Sequence, residues 1–192
     1  HDYELALQYQ RQARRLYEEE SDSAGMVKCM INEASVFYAQ EQYAEALPLY
    51  RIASEIAGRI GKDHDRYIAI GDMALTYMDL AVYDSALFYL RQSLAYHLDT
   101  GNDPATAIDL SNMGMLYANM NRTDSAAAYF EQSLGLSEST GDNRLSAKNA
   151  GELAELWETR KNYQMAYNYQ KLYKQYNDSV FSDSKAEAIA DM

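Results

Sequence analysis

The sequence has few of the residues on which many kinds of functional site depend. One cysteine, Cys29, among 192 residues allows no internal disulfide bond. The three histidines, His1, His64 and His97, form no metal-ligand spacing such as HExxH, and no glycine-rich phosphate loop is present. No set of acid, base and nucleophile can be drawn from these residues. We therefore expect a protein that is not an enzyme and that takes no cofactor and no metal.

Positive charge, proline and long apolar runs are also scarce. The 17 lysines and arginines against 29 acidic residues give a net charge of −12, which argues against nucleic acid and against an anionic membrane surface as partners of this segment. No apolar run approaches the roughly 18 residues of a membrane span. Two prolines leave room for long helices, and 47% hydrophobic residues are enough for a core.

A repeat of 40 residues organises what is present, and it is clearest from Tyr83 to Ala126. One type of helix, helix B, carries an alanine at the same place in five successive units. The other type, helix A, carries apolar residues at the i, i+3, i+4 and i+7 spacing of an amphipathic helix. The alanine column of helix B is Ala6, Ala46, Ala86, Ala126 and Ala166. The columns of helix A begin at Met30, Glu33, Ala34 and Phe37, and Glu33 is the one misfit.

The turns repeat with the helices. Gly61, Gly101 and Gly141 stand just past helix B, where a left-handed C-cap is favoured. Two residues after each glycine an acidic or amide side chain is predicted to cap the next helix A. These predicted caps are Asp63, Asp103 and Asn143.

The columns predict nine helices in one repeat array over residues 1–178, with units in register near 3, 43, 83, 123 and 163. A break in the pattern at 177–179 predicts a separate short C-terminal helix, 179–192, which would be a cap or a linker. Since the first helix is of type B and has no helix A before it, we expect that the native chain extends upstream or was cleaved there. The predicted helices span 2–19, 24–40, 43–60, 64–81, 83–99, 104–120, 123–139, 144–160 and 163–177.

These columns resemble the tetratricopeptide repeat family. Helix A carries a small residue and then an aromatic one, as at Ala74 and Tyr77, and helix B carries Tyr43, Ala46 and Tyr50. The resemblance implies an all-α fold, a right-handed α-solenoid of antiparallel helix pairs. The unit is longer than the common length of about 34 residues, as in the long-unit branch of the family. HEAT-type repeats, which also run near 40 residues, are the second interpretation.

The tail resembles a junction found in bacterial signalling proteins, chiefly of Bacteroidetes. The matching residues are 177–181 and 185–190. In those proteins a tetratricopeptide sensor array leads into a coiled coil, a membrane helix and a histidine kinase or DNA-binding domain. The resemblance implies a sensing domain of a larger protein, and a periplasmic or otherwise extracytoplasmic location is favoured over the cytoplasm.

In the resembled architecture the A helices line the concave side, so residues on that face but off the apolar stripe form the candidate binding site. Its apolar centre suits an extended or helical peptide with apolar anchors, whereas the basic clamp for a terminal carboxylate is missing. We expect a non-catalytic protein- or peptide-binding scaffold. The alternatives are a structural scaffold that dimerises through its end helices, 2–19 or 179–192, and a groove that is merely solvated. The candidate residues are Lys28, Asn32, Ser35, Ile68, Asp72, Leu75, Asp79, Ile108, Asn112, Met115, Asn119, Lys148 and Glu152.

Overall fold

The structure is a computed structural model that describes the backbone of residues 2–190 and the side chains of residues 3–182. In that range the regular elements are nine helices, with no strand. This confirms the predicted all-α fold, with helix bounds within two residues of those predicted as far as α8. No helix of the described range is long and apolar enough to cross a membrane. The helices are α1 (Asp2–Glu19), α2 (Ser23–Ala39), α3 (Tyr43–Arg59), α4 (Asp63–Asp79), α5 (Tyr83–Asp99), α6 (Asp103–Asn119), α7 (Thr123–Thr140), α8 (Asn143–Thr159) and α9 (Tyr163–Ala190).

The C-terminal end differs from the prediction. Helix α9 runs unbroken through 177–179, so the separate short helix is wrong. Asn, Asp and Ser each cost at most about 0.7 kcal/mol in a helix relative to Ala, and no glycine or proline reinforces them. Ser179 Oγ also donates a hydrogen bond to the Gln175 carbonyl within the helix, at 3.2 Å. Residues 191–192 lie outside the described residues, and the cap or linker role of 179–192 stays a prediction.

The helices form two compact units, one of the residues up to Tyr96 and one of the residues from His97. In the first unit α1 packs on α2, α2 on α3 and α3 on α4. In the second unit α6 packs on α7, α7 on α8 and α8 on α9. Links of two or three residues join successive described helices, which therefore form antiparallel hairpins.

The small-residue columns lie where helices approach most closely. Gly114 of α6 shows the reason, because a Cβ atom there would lie 2.6 Å from the Phe130 ring of α7. The helix backbone therefore serves as the wall against which a large side chain packs. The buried members of the two columns are Ala34, Ala74, Gly114 and Ala154 of the A helices and Ala46, Ala86 and Ala126 of the B helices.

Aromatic rings stack between α4 and α5 and again between α6 and α7. Tyr77 stacks on Tyr89 at 5.6 Å between ring centroids. The equivalent pair one repeat later, Tyr117 and Tyr129, stacks at 5.3 Å. Such a pair contributes about 0.5–1.5 kcal/mol beyond the burial of its area. The tyrosine columns thus act mainly in packing the helix pairs.

The predicted left-handed glycines are confirmed, but the predicted caps are one residue too late. Gly61, Gly101 and Gly141 have φ of 71°, 64° and 75°. The residue directly after each glycine already has the non-helical backbone of an N-cap, so Asp63, Asp103 and Asn143 are the first helical residues. Asn102 and Asp142 accept backbone hydrogen bonds as caps, and Asp22 does so in the first repeat. Lys62 holds this position in α4 and makes no side-chain cap.

Glu33, the one polar residue in the apolar columns, is buried and paired. Arg11 Nε of α1 donates to its Oε1 at 2.9 Å, and the Arg14 guanidinium lies 3.0 Å from its Oε2. A buried carboxylate needs such partners, because removing it from water is costly. The first helix is therefore held on α2 partly by charge.

We expect Gly114→Ala to destabilise the fold by about 1–2 kcal/mol, because its Cβ would force the buried Phe130 ring to move. Gly135→Ala is the matched control. Gly135 also lies inside a helix, but nothing stands within 4 Å of its Cβ position, so this change should stabilise by up to about 1 kcal/mol. Chemical denaturation measures both. Phe130→Leu should cost less in the Gly114→Ala background than in the wild type, and additive effects would contradict the packing argument.

Candidate functional site

The predicted site residues of the first unit lie on α2 and α4 and differ in exposure. Asp72 and Leu75 are half-buried at the middle of α4, and Ser35 is half-buried on α2. Their neighbours on the same two helices reach further into solvent. The exposed ones are Lys28, Asn32, Ile68 and Asp79.

Asp72 has an unusual environment for a carboxylate. Burial raises its pKa from 3.8 to about 6. Among the side chains of residues 3–182 no lysine or arginine pairs with it. Tyr50 lies close by, and burial first and then the Asp72 charge raise the pKa of its phenol. Ser35 Oγ lies 3.0 Å from the Tyr50 hydroxyl and fixes that ring. The charge of Asp72 is therefore available to a cation from outside.

A second carboxylate on this face is tied to a tyrosine. Tyr38 Oη of α2 donates to Asp79 Oδ2 of α4 at 2.6 Å. Burial, and then this hydrogen bond, raise the pKa of Tyr38. The Tyr38 and Tyr43 rings are 5.8 Å apart and tilted by 54°. With Leu75 and the exposed Ile68, these groups give the first unit an acidic, aromatic and apolar face.

In the second unit the predicted residues lie on α6 and α8. Asn112 is only 8% exposed and offers little surface to a ligand. Met115 and Glu152 are half-buried. Exposed side chains complete the set, and these are Ile108, Asn119 and Lys148.

Among the predicted residues, Glu152 lines two cavities. One cavity, of about 200 Å³, also involves Phe130 and Leu156. The other, of about 330 Å³, brings Lys148 and Glu152 together with Tyr173 of α9. Burial first, and then the neighbouring Glu155, raise the pKa of Glu152, while Lys148 lowers it.

The tyrosine hydroxyls on the first unit's face were not evident from the sequence. Columns at helical spacing predict buried rings, and Tyr50 is indeed buried. They do not predict that Tyr38 reaches Asp79, because the two residues are 41 positions apart and on different helices. The spacing of about one repeat between them is the signal that could have suggested the pair.

Two of the side chains that could carry chemistry, Cys29 and His97, are buried. Among residues 3–182 no three histidine, cysteine, aspartate or glutamate side chains are grouped so as to hold a metal. Cys29 is buried, and burial raises the pKa of its thiol, which keeps it in the less reactive protonated form. His97 Nδ1 lies 2.6 Å from Asp109 Oδ2 inside the second unit, where the pair is enclosed by the packing.

Asp72→Asn should stabilise the protein at neutral pH. The folded carboxyl has a pKa of about 6 against 3.8 for the ordinary group, so the wild type loses stability as pH rises from about 4 to about 6. The neutral amide avoids that loss, which amounts to at most about 3 kcal/mol for a shift of this size. Unfolding at pH 7 and at pH 4 measures it. The gain should shrink toward zero at the lower pH and should exceed that of Asp63→Asn, an exposed carboxylate on the same helix.

Comparison with protein families gives one clear match. Residues 65–139 match the model of the tetratricopeptide repeat. Comparison with curated proteins finds no match.

Solved structures share the fold over almost the whole chain. A Rap protein in complex with Competence and Sporulation Factor superposes with a TM-score of 0.85 at 16% identity, over 95% of this chain and 51% of its own. The Rap conjugation gene regulator of plasmid pLS20, in complex with the Phr* peptide, gives 0.72 at 14% identity over 100% and 58%. A signal transduction ATPase with a tetratricopeptide repeat sensor, from Pyrococcus horikoshii, gives 0.75 at 17% identity over 96% and 29%.

The chain thus spans about half of the Rap structures that it resembles. The repeat columns, the nine helices and the superpositions agree with the match over residues 65–139. The helical array therefore has the α-solenoid fold of tetratricopeptide repeat proteins, and residues 65–139 carry the repeat itself.

Proposed function

We propose that this chain is a non-catalytic scaffold that binds a peptide or a segment of another protein on the A-helix face of its first unit. The observation that carries the proposal is the half-buried Asp72 carboxylate, which no lysine or arginine of the described residues neutralises. A charge that lowers stability and has no internal partner is expected at a place where a ligand supplies the partner.

The chemistry of the face indicates the kind of peptide. A lysine, an arginine or an amino terminus would pair with Asp72, and a second basic group beside Asp79 would meet the rings of Tyr38 and Tyr43. Leu75 and Ile68, the latter 39% exposed, would take an aliphatic or aromatic neighbour of that cation. The ligand class is therefore a peptide with basic and apolar residues side by side.

The structural neighbours support binding of this general kind. The two Rap structures are complexes with Competence and Sporulation Factor and with the Phr* peptide, and a third neighbour carries its repeats as a sensor. We also propose that the chain is the sensing part of a larger bacterial signalling protein and lies outside the cytoplasm. The resemblance of the tail at 177–181 and 185–190 to the junction in such proteins supports this context.

The test begins with selection from a random peptide display library on the immobilised chain. We expect enrichment of peptides that place lysine or arginine beside apolar residues. The best peptide is then made synthetically and titrated by calorimetry. Asp72→Asn should weaken its binding about tenfold or more, because it removes a charge-assisted contact. Leu75→Ala should weaken it as well.

Asp63→Asn is the matched control, since it removes the same charge from the same helix about 13 Å away along the axis. It should leave the affinity within about twofold. If Asp63→Asn and Asp72→Asn weaken the peptide equally, the effect is one of overall charge and the face is not the site. Enrichment of neutral peptides alone would contradict the proposed ligand class.

Self-association is the second candidate function. Leu5, Tyr9 and Leu16 of α1 lie on the outer side of the first unit and are 49%, 61% and 59% exposed. Apolar side chains exposed in a row along one helix indicate an interface. A second copy of the chain could cover them through the same helix.

Sedimentation at increasing protein concentration tests this candidate. The wild type should form a dimer, and Leu5→Glu with Tyr9→Glu should give a monomer with the same helical content. Leu98→Glu, at a residue that is 62% exposed on another helix, should leave the dimer intact. A wild type that stays monomeric at high concentration would rule self-association out.

A further inference from the structure

An open cleft in the first unit, lined by none of the candidate site residues, is unusually basic. It lies between α3, α4 and α5 and has a volume of about 490 Å³. Three arginines, Arg51, Arg59 and Arg66, line it, against one carboxylate, Glu55. A concentration of positive charge in a chain with a net charge of −12 is not explained by composition.

Two of the three guanidinium groups are not neutralised from within. Arg51 lies 3.5 Å from the Glu55 carboxylate. Arg59 meets only the backbone carbonyl of Glu55, at 3.4 Å, and Arg66 stands over the Tyr67 ring at 5.4 Å. Among the side chains of residues 3–182, neither Arg59 nor Arg66 makes an ion pair with a carboxylate. Both retain donors for an anion that enters the cleft.

The repeat shows that folding does not require these arginines. The position of Arg59 holds acidic residues or serine in the other repeats, and the position of Arg66 holds methionine, threonine or serine. The same helix pairs form in those repeats, so the basic residues are an addition to the scaffold. The equivalent residues are Glu19, Asp99 and Ser139 for Arg59, and Met26, Thr106 and Ser146 for Arg66.

The cleft also offers an apolar surface beside the arginines. Ile70 and Met73 of α4 form its floor, and Phe88 of α5 is 60% exposed at its edge. Proline, glutamine, alanine and asparagine hold the position of Phe88 in the other repeats. A simple anion would fill only a small part of 490 Å³, a volume typical of sites for larger ligands. The occupant must therefore bring apolar bulk with its negative charge.

We propose that this cleft binds a peptide segment that presents an acidic side chain beside an aromatic or aliphatic one. Its carboxylate would pair with Arg59 and Arg66, and its apolar side chain would cover Phe88. The site differs in place and in charge from the A-helix face proposed above, and the two are independent of each other.

The probe is a short, terminally blocked peptide of alternating glutamate and phenylalanine, titrated into the whole chain by calorimetry. Arg59→Gln combined with Arg66→Gln should weaken binding about tenfold or more, since contacts to charged groups are lost. Arg91→Gln on α5 is the control for charge, because Arg91 does not line the cleft. This change should alter the affinity for the peptide by less than about twofold. The melting temperature of each variant shows that it is folded.

Three results would overturn the proposal. One is equal binding of a peptide in which glutamine replaces glutamate, since then the arginines do not recognise charge. Another is saturable binding of inorganic phosphate that displaces the peptide at constant ionic strength, since then a free anion is the ligand. The third is a wild-type dimer that the Arg59→Gln and Arg66→Gln changes dissolve, since then a second copy of this acidic chain occupies the cleft.

Discussion

The close approach of neighbouring helices is the constraint on which the rest of the structure depends. Where α6 meets α7, the space that Phe130 needs is provided by the missing side chain of Gly114. In the other A helices an alanine holds this place, and the facing residue changes with it, to Tyr50 in α3 and Leu90 in α5. At each of these places a small residue of one helix leaves room for a large, fully buried residue at the matching place of the next, as expected for interiors packed to crystal density.

Some polar groups in these interfaces form hydrogen bonds between neighbouring helices. In the second unit Ser133 Oγ donates to the Ala107 carbonyl at 2.6 Å, and Asn149 Nδ2 donates to Ser133 Oγ at 2.8 Å. In the first unit the position of Asn149 is held by the fully buried Ala69. Unpaired polar groups in such places cost about 1–3 kcal/mol each. The two units therefore use the same backbone plan with cores of different polarity, which would help each helix to select its own neighbour.

The repeat made the helices predictable, because every apolar column was confirmed in several copies. A single copy would have left Glu33 as an error, whereas Arg11 and Arg14, on another helix, explain it. The break at 177–179 was predicted wrongly, since local propensities of a few tenths of a kcal/mol do not by themselves end a helix. The binding faces were harder to predict than the fold. Contacts such as that of Tyr38 with Asp79 join different helices, and Arg59, Arg66 and Phe88 of the arginine cleft depart from the repeat.

The links between the described helices are three residues or fewer, from the segment after α1 to the one before α9. Recognition in most proteins uses loops that a scaffold holds in place, but here no link is long enough to form a binding loop. A ligand of the proposed kind would instead contact side chains on the helices. Such a surface loses little conformational entropy when it binds. New specificity can then arise by single substitutions at exposed positions, without any change in chain length.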